Sequence, residues 1–253
     1  MNKLIILSLT VLVALGVPSC KKDDPVKYGV DGKTPLPKAV DLGTVVNGRN
    51  VKWASFNLGA SREWQSGDYY AWGESDTKLD YTWAEYKWTN LNLTRYCPLE
   101  KPSCWNEGTP DGLRTLLPED DAAQVKLGGK WRMPTKDELE ALAGLKDNPD
   151  YTWVDYSLAK DDNGKTALNA EGKPVYGVRI TRLSTGASLF LPYSGFFDGT
   201  DYYDGNAVGY CWSSSLDTSD PFQAFYLHIF STPSCSHSFE RCRGLPIRPV
   251  CEE

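Results

Sequence analysis

Gly129-Lys130-Trp131-Arg132-Met133-Pro134-Thr135-Lys136-Asp137-Glu138-Leu139-Glu140-Ala141-Leu142 reads as an extended approach followed by a short, well-marked helix. Thr135 is placed to cap that helix, because its hydroxyl can accept a backbone N–H of the first turn. Glu138, three residues on, completes a capping box. Asp137, Glu138 and Glu140 put negative charge near the positive end of the helix dipole. Leu139, Leu142 and Ala143 share one face, and Gly144 is placed to end the helix. Trp131 and Met133 are positioned to anchor the extended approach.

The chain has 253 residues, 41% hydrophobic and 24% charged, which suits a globular domain of ordinary size. Its formal charge is −6 and it has no basic run, which argues against a nucleic-acid partner. Nine Trp and fourteen Tyr against two Met favour an extracellular β-rich domain with wide, half-polar surfaces.

At the N-terminus Lys3 precedes the uncharged run Leu4–Val17, too short for a typical membrane span and shaped like a signal peptide. The run closes on Val17-Pro18-Ser19-Cys20, which resembles a bacterial lipobox. That resemblance implies cleavage before Cys20 and lipid attachment to it, so the membrane is a partner through the N-terminal lipid. Lys21-Lys22-Asp23-Asp24 resembles the export tag of surface lipoproteins in Bacteroides-like bacteria, which implies the outer membrane, facing outward. The resulting organisation is a signal peptide at 1–19, a lipidated N-terminus and tether at 20–38, and one domain at 39–253.

Of the seven cysteines, Cys97, Cys104, Cys211, Cys235, Cys242 and Cys251 remain after Cys20. An even number in an exported protein suggests disulfides. Cys97 and Cys104, with Pro98 and Pro102 between them, are the best candidate pair. A zinc site is disfavoured, since no Cys-x-x-Cys occurs and His228 and His237 lack ligand spacing to the cysteines. No metal or cofactor is expected.

Along the chain, residues 39–58 read as a hairpin about Asn47-Gly48. Residues 60–118 are long, aromatic and irregular, the kind of segment that is functional or stapled. Residues 119–127 read as a short helix, with Glu119, Asp120 and Asp121 as a solvated acidic first turn rather than a cation site. Tyr151–Tyr156 reads as a strand, and Val175–Leu183 with Ala187–Leu191 as a second hairpin. Residues 198–206 read as a surface loop whose carboxylates lack the EF-hand pattern. Tyr210–Ser215, Ala224–Phe230 and Arg241–Val250 are the expected final strands. Tyr81-Thr82-Trp83 recurs as Tyr151-Thr152-Trp153, too short a match to establish a repeat.

Several motifs stand in one order. They are Ala39-Val40-Asp41-Leu42-Gly43, Val51-Lys52-Trp53-Ala54, Gly67-Asp68-Tyr69-Tyr70-Ala71-Trp72-Gly73-Glu74, Glu119-Asp120-Asp121-Ala122-Ala123, Gly129–Thr135, Trp212-Ser213-Ser214-Ser215 and Arg248-Pro249-Val250. Over about residues 39–251 the chain thus resembles the Fibrobacter succinogenes major paralogous domain family. The resemblance implies an α+β, C-type-lectin-like domain: twisted antiparallel sheets, two short helices, long loops and chain ends close together. It does not imply calcium-dependent sugar binding, because the Glu-Pro-Asn and Gln-Pro-Asp triplets are absent.

In Ala224–Phe230 the period is two, so Phe225, Leu227 and Ile229 form one apolar face and Tyr226, His228 and Phe230 are expected to face outward. The following Ser231–Phe239 has no core pattern. Candidate ligand-binding residues across 222–243 are Phe222, Tyr226, His228, Phe230, Thr232, Ser234, Ser236, His237, Phe239 and Arg243, aromatics for contact area and small polar residues for adaptable bonding. This place also resembles the variable segment of proteins diversified by retroelements, in which adenine rewriting cannot give Lys, Glu, Gln, Met or Trp. Residues 224–239 contain none of these, but neither do residues 174–211.

The expected function is therefore a surface-anchored, non-enzymatic module that binds a protein or glycan through 222–243. The alternative is a structural accessory or tip subunit of a surface appendage. Formylglycine-generating enzymes share the lectin-like fold, but Cys235 and Cys242 do not match their cysteine motif. No catalytic set is readable in the linear sequence.

Overall fold

A computed structural model describes residues 26–252. The signal peptide, Cys20 and the Lys21–Asp24 tag lie outside the described residues. The fold is α+β, with mostly antiparallel sheets and two α-helices. In chain order the elements are β1 (Ala39–Val46), β2 (Arg49–Ala54), β3 (Thr89–Asn90), β4 (Asn92–Leu93), α1 (Ala122–Leu127), β5 (Trp131–Arg132), α2 (Lys136–Gly144), β6 (Tyr151–Leu158), β7 (Tyr176–Arg182), β8 (Ser188–Pro192), β9 (Ser194–Asp198), β10 (Asp201–Gly205), β11 (Gly209–Leu216), β12 (Gln223–Ile229), β13 (Ser238–Glu240) and β14 (Val250–Glu252).

The β1–β2 hairpin turns at Asn47 and Gly48, both at positive φ, as the Asn-Gly pair predicts. The last strand, β14, inserts between β2 and β5, so the beginning and the end of the domain meet in one sheet. β5 is the extended approach to α2, and its pairing with β14 fixes where that helix starts. The capping box forms in full: the Thr135 hydroxyl accepts the Glu138 N–H at 3.3 Å, and Glu138 accepts the Thr135 N–H at 2.8 Å. Arg132 holds the Glu138 carboxylate at 2.6 and 2.8 Å and reaches Glu252 on β14 at 2.7 Å. α2 ends at Gly144, as expected, though without a left-handed turn: its φ is −63°, and the chain continues into a 3-10 turn at Leu145–Asp147.

Two apolar cores lie on opposite faces of the β11–β12–β13 sheet. One joins Leu42, Val51, Trp53, Leu139, Leu142, Val178, Ile180 and Leu189 to Cys211, Leu227 and Ile229. The other joins Leu58, Tyr70, Trp72, Tyr96 and Met133 to Tyr210, Trp212 and Tyr226. Two fully buried arginines brace the long loops against this centre. Arg241 donates to the Tyr86 hydroxyl at 2.9 Å and to the carbonyls of Tyr96, Pro221 and Arg95, and its guanidinium lies 4.8 Å from the Trp72 ring. Arg248 donates to Asn57 and to the carbonyls of Ala54 and Phe190; burial lowers its pKa to about 10, leaving it charged at neutral pH. Carbonyl dipoles rather than carboxylates hold these two charges, the compensation a buried cation requires.

Several sequence expectations are corrected here. Residues 27–36, read as tether, form a small hairpin: Tyr28 bridges Pro35, and Asp31 caps the turn through the Lys33 and Thr34 N–H groups. The hairpin rests on α1, where the Asp31 N–H reaches the Lys126 carbonyl. Asp120 and Asp121 are buried rather than solvated. Asp121 is the N-cap of α1, accepts the Ala123, Gln124 and Met133 N–H groups, and is raised to about pKa 6 by burial. Asp120 accepts the Tyr96 hydroxyl at 2.5 Å and pairs with Arg95 at 2.7 Å. Residues 198–206 are not a loop but contain β10, a strand antiparallel to β9. Arg241–Val250 is not a strand until Val250, and the end of the Ser231–Phe239 stretch, read as patternless, enters a strand at Ser238–Glu240 that pairs with β12 as β13. The two Tyr-Thr-Trp stretches differ, one running into a 3-10 turn and the other into β6.

The expected Cys97–Cys104 link is not formed; all six described cysteines are thiols. The 96–113 loop is held instead by Asp111, which accepts the Tyr96, Cys97 and Leu113 N–H groups. It is held as well by Arg241 on the Tyr96 carbonyl.

Candidate functional site

β12 runs between the two cores, so the expectation that Tyr226 faces solvent is wrong. Tyr226 is 5% exposed and packs 4.4 Å from Phe239 and 5.6 Å from Tyr210, ring centre to ring centre. The period-two reading identified the two faces correctly but assigned solvent to a face that a second aromatic core covers. Phe222 is half-buried against Trp83, with rings 5.6 Å apart and nearly perpendicular. Phe239 lies under Arg243, whose guanidinium is 4.7 Å from its ring and pairs with Asp198 and Glu240 at 3.1 Å. Phe222, Tyr226, Phe239 and Arg243 thus hold the segment in place.

The other candidates come together at and beyond the end of β12. Phe230, Thr232, Ser236 and His237 are exposed, and His228 and Ser234 are half-buried. Backbone bonds in both directions between His228 and Ser234, at 2.8 and 3.1 Å, close the base of the 230–237 loop. The Ser234 and Ser236 hydroxyls lie 2.6 Å apart, and the His228 and His237 rings are 6.3 Å apart. Burial, together with the nearby His237, lowers the His228 pKa, which favours the neutral ring. Cys235 points the loop inward: it is buried in the first core, and burial raises its thiol pKa.

Tyr156 is a neighbour that the sequence reading missed. It is exposed, and its ring is 6.5 Å from Phe230 and 5.3 Å from Tyr193. A register shift in β6 between Val154 and Ser157 carries it outward at positive φ, and no sequence signal marks that bulge.

Burial raises Cys97 and Cys211 to about pKa 11 and Cys242 to about 12, so these thiols stay protonated near neutrality. Among the described residues, no group of His, Cys, Asp and Glu is arranged to hold a metal ion. Compared with family models, curated proteins and solved structures, the chain matches none.

Proposed function

We propose that this protein is an exported, lipid-anchored binding module of the major paralogous, C-type-lectin-like type, and that it recognises a protein or glycan through the C-terminal segment 222–243. The observation that carries this reading is the 230–237 loop. It offers Phe230, Thr232, Ser236 and His237 to solvent from a strand buried on both faces, which is the combination of adaptable contacts and rigid support that recognition surfaces use. The resemblance of Val17–Cys20 to a lipobox and of Lys21–Asp24 to an export tag supports a location at the outer surface of the outer membrane. Diversification by a retroelement would have to spare Ala224, Tyr226, Leu227, Ile229 and Cys235, which are core. Variation would concentrate at 230–234 and at 236–237.

The test is a screen of the full-length protein, purified in detergent, against arrayed glycans and host or bacterial surface proteins. A Phe230→Ser/His237→Ser variant is run beside it. Binding that the variant loses, with its unfolding midpoint unchanged, supports the reading. Equal binding by both, or none by either, overturns the 230–237 site.

A further inference from the structure

A cleft of about 1040 Å³ opens between the 59–69 loop, the 168–175 turn and the β9–β10 hairpin. It is as large as the upper end of the ~300–1,000 Å³ typical of small-molecule sites. Trp64, Tyr69, Phe197 and Tyr202 give it aromatic walls, and Gln65, Asp68 and Asn169 are polar groups beside them. We propose that this cleft binds a neutral oligosaccharide several rings long, independently of the loop.

The aromatic wall is built before any ligand arrives. The Tyr69 and Tyr202 hydroxyls both donate to the Ser194 carbonyl, the second at 2.8 Å. Phe197 lies edge-on to Tyr69 at 4.9 Å and tilted against Tyr202 at 5.1 Å. Tyr202 still has about half of its surface exposed. The 59–69 loop is equally fixed: the Asp68 N–H donates to the Leu58 carbonyl at 2.9 Å, and Asn57 donates to the Ser66 carbonyl at 2.8 Å. Gly59 and Gly67 have positive φ, and a Cβ on either would collide with Asp68 or with the Leu58 carbonyl, so the turn admits only glycine there. Rings held in place lose little entropy on binding.

The chemistry of the lining selects the ligand. The negative face of an aromatic ring attracts the polarised C–H face of a pyranose, and the hydroxyls at its edge need donors and acceptors. The Gln65 carbonyl oxygen accepts the Ser61 and Arg62 N–H groups, and that of Asn169 accepts Glu171 and Lys173, which leaves both amide NH₂ groups to donate. Asp68 supplies an acceptor. An anionic ligand is disfavoured, because the cleft's one lysine, Lys173, already pairs with Glu171 at 2.8 Å. The backbones of the 59–69 loop and the 168–175 turn bond within their own segments, Gln65 to Arg62 and Asn169 to Lys173, so these two walls are fixed without a ligand.

The experiment titrates the full-length protein, in a detergent without a sugar headgroup, with cellohexaose, xylohexaose and mannohexaose by calorimetry. Tyr202→Ala, Trp64→Ala and Ala170→Trp are compared with the Phe230→Ser/His237→Ser variant. Ala170→Trp obstructs the cleft while removing no native contact, so it tests the site even if Trp64→Ala fails to fold. Binding of at least one hexasaccharide, weakened tenfold or more by Tyr202→Ala and Ala170→Trp and unchanged in the loop variant, is the expected result. No binding of any of the three, binding indifferent to the cleft variants, or binding lost only in the loop variant overturns the proposal. The last outcome leaves the loop reading standing.

Discussion

Strand Gln223–Ile229 and the loop at 230–237 adjoin in sequence and differ in almost every physical respect. The strand is walled on one face by Val178, Leu189 and Leu139 and on the other by Trp72, Tyr96 and Tyr210, so its side chains are fixed. The loop carries exposed Phe230, Thr232, Ser236 and His237, and is tied down chiefly at the His228–Ser234 bridge and by the buried Cys235. An aromatic residue therefore means opposite things a few positions apart: Tyr226 stabilises the fold, whereas Phe230 is available to a partner.

Substitutions can break or sharpen that contrast. The largest effect is expected beneath the strand. Arg241→Met removes the donor to the Pro221, Tyr96 and Arg95 carbonyls and should cost about 5 kcal/mol of unfolding free energy. A loss below about 1 kcal/mol in urea titration would show that the bracing is dispensable. Tyr226→Ala should cost about 3–4 kcal/mol by opening a cavity in the second core. If Tyr226 were outward after all, the midpoint would hardly move. Loss of binding in a Tyr226 variant therefore reports on folding and says nothing about the site.

His228 joins the two regions and gives a smaller, pH-dependent effect. Its folded pKa is lowered below the ordinary 6.5, so the unfolded chain takes up the proton first as pH falls. Its contribution to stability is complete above about pH 6.5 and is lost as pH falls from there through the folded pKa. Unfolding midpoints at pH 7.5 and 5.5 should differ less in His228→Gln than in the native protein. His237→Ser, which removes one cause of the lowering, should fall between them. Phe230→Ser alone should be the mildest, within about 0.5 kcal/mol of the native stability. A loss of 2 kcal/mol there would mean that the loop is part of the core.

Much of the framework was legible because local rules carry it. The capping box at Thr135, the Asn47-Gly48 turn, and the strands at 151, 176, 188 and 209 each express a short-range preference. Where partners are distant, legibility failed. Nothing near Asp120 and Asp121 in sequence says that Tyr96, Arg95 and Met133 will meet them. Nothing in the polar run at 27–36 says that it will find α1. The cysteine count suggested a staple for the 96–113 loop, whereas Asp111 and Arg241 hold it with hydrogen bonds. The 64–69 and 168–175 stretches gave no hint of a cleft, since neither forms one without the other.

The sequence by itself determined the start of α2, the turns of the β1–β2 and β7–β8 hairpins, the alternation of the strands and the chemical character of the 230–237 run. All of these depend on residues within a few positions of one another. Only the tertiary structure decided which face of β12 meets water, which carboxylates are buried, and that a β9–β10 hairpin would close an aromatic cleft. Those outcomes depend on what packs across each element, and a strand's period of two marks its faces without naming the neighbour that each will find.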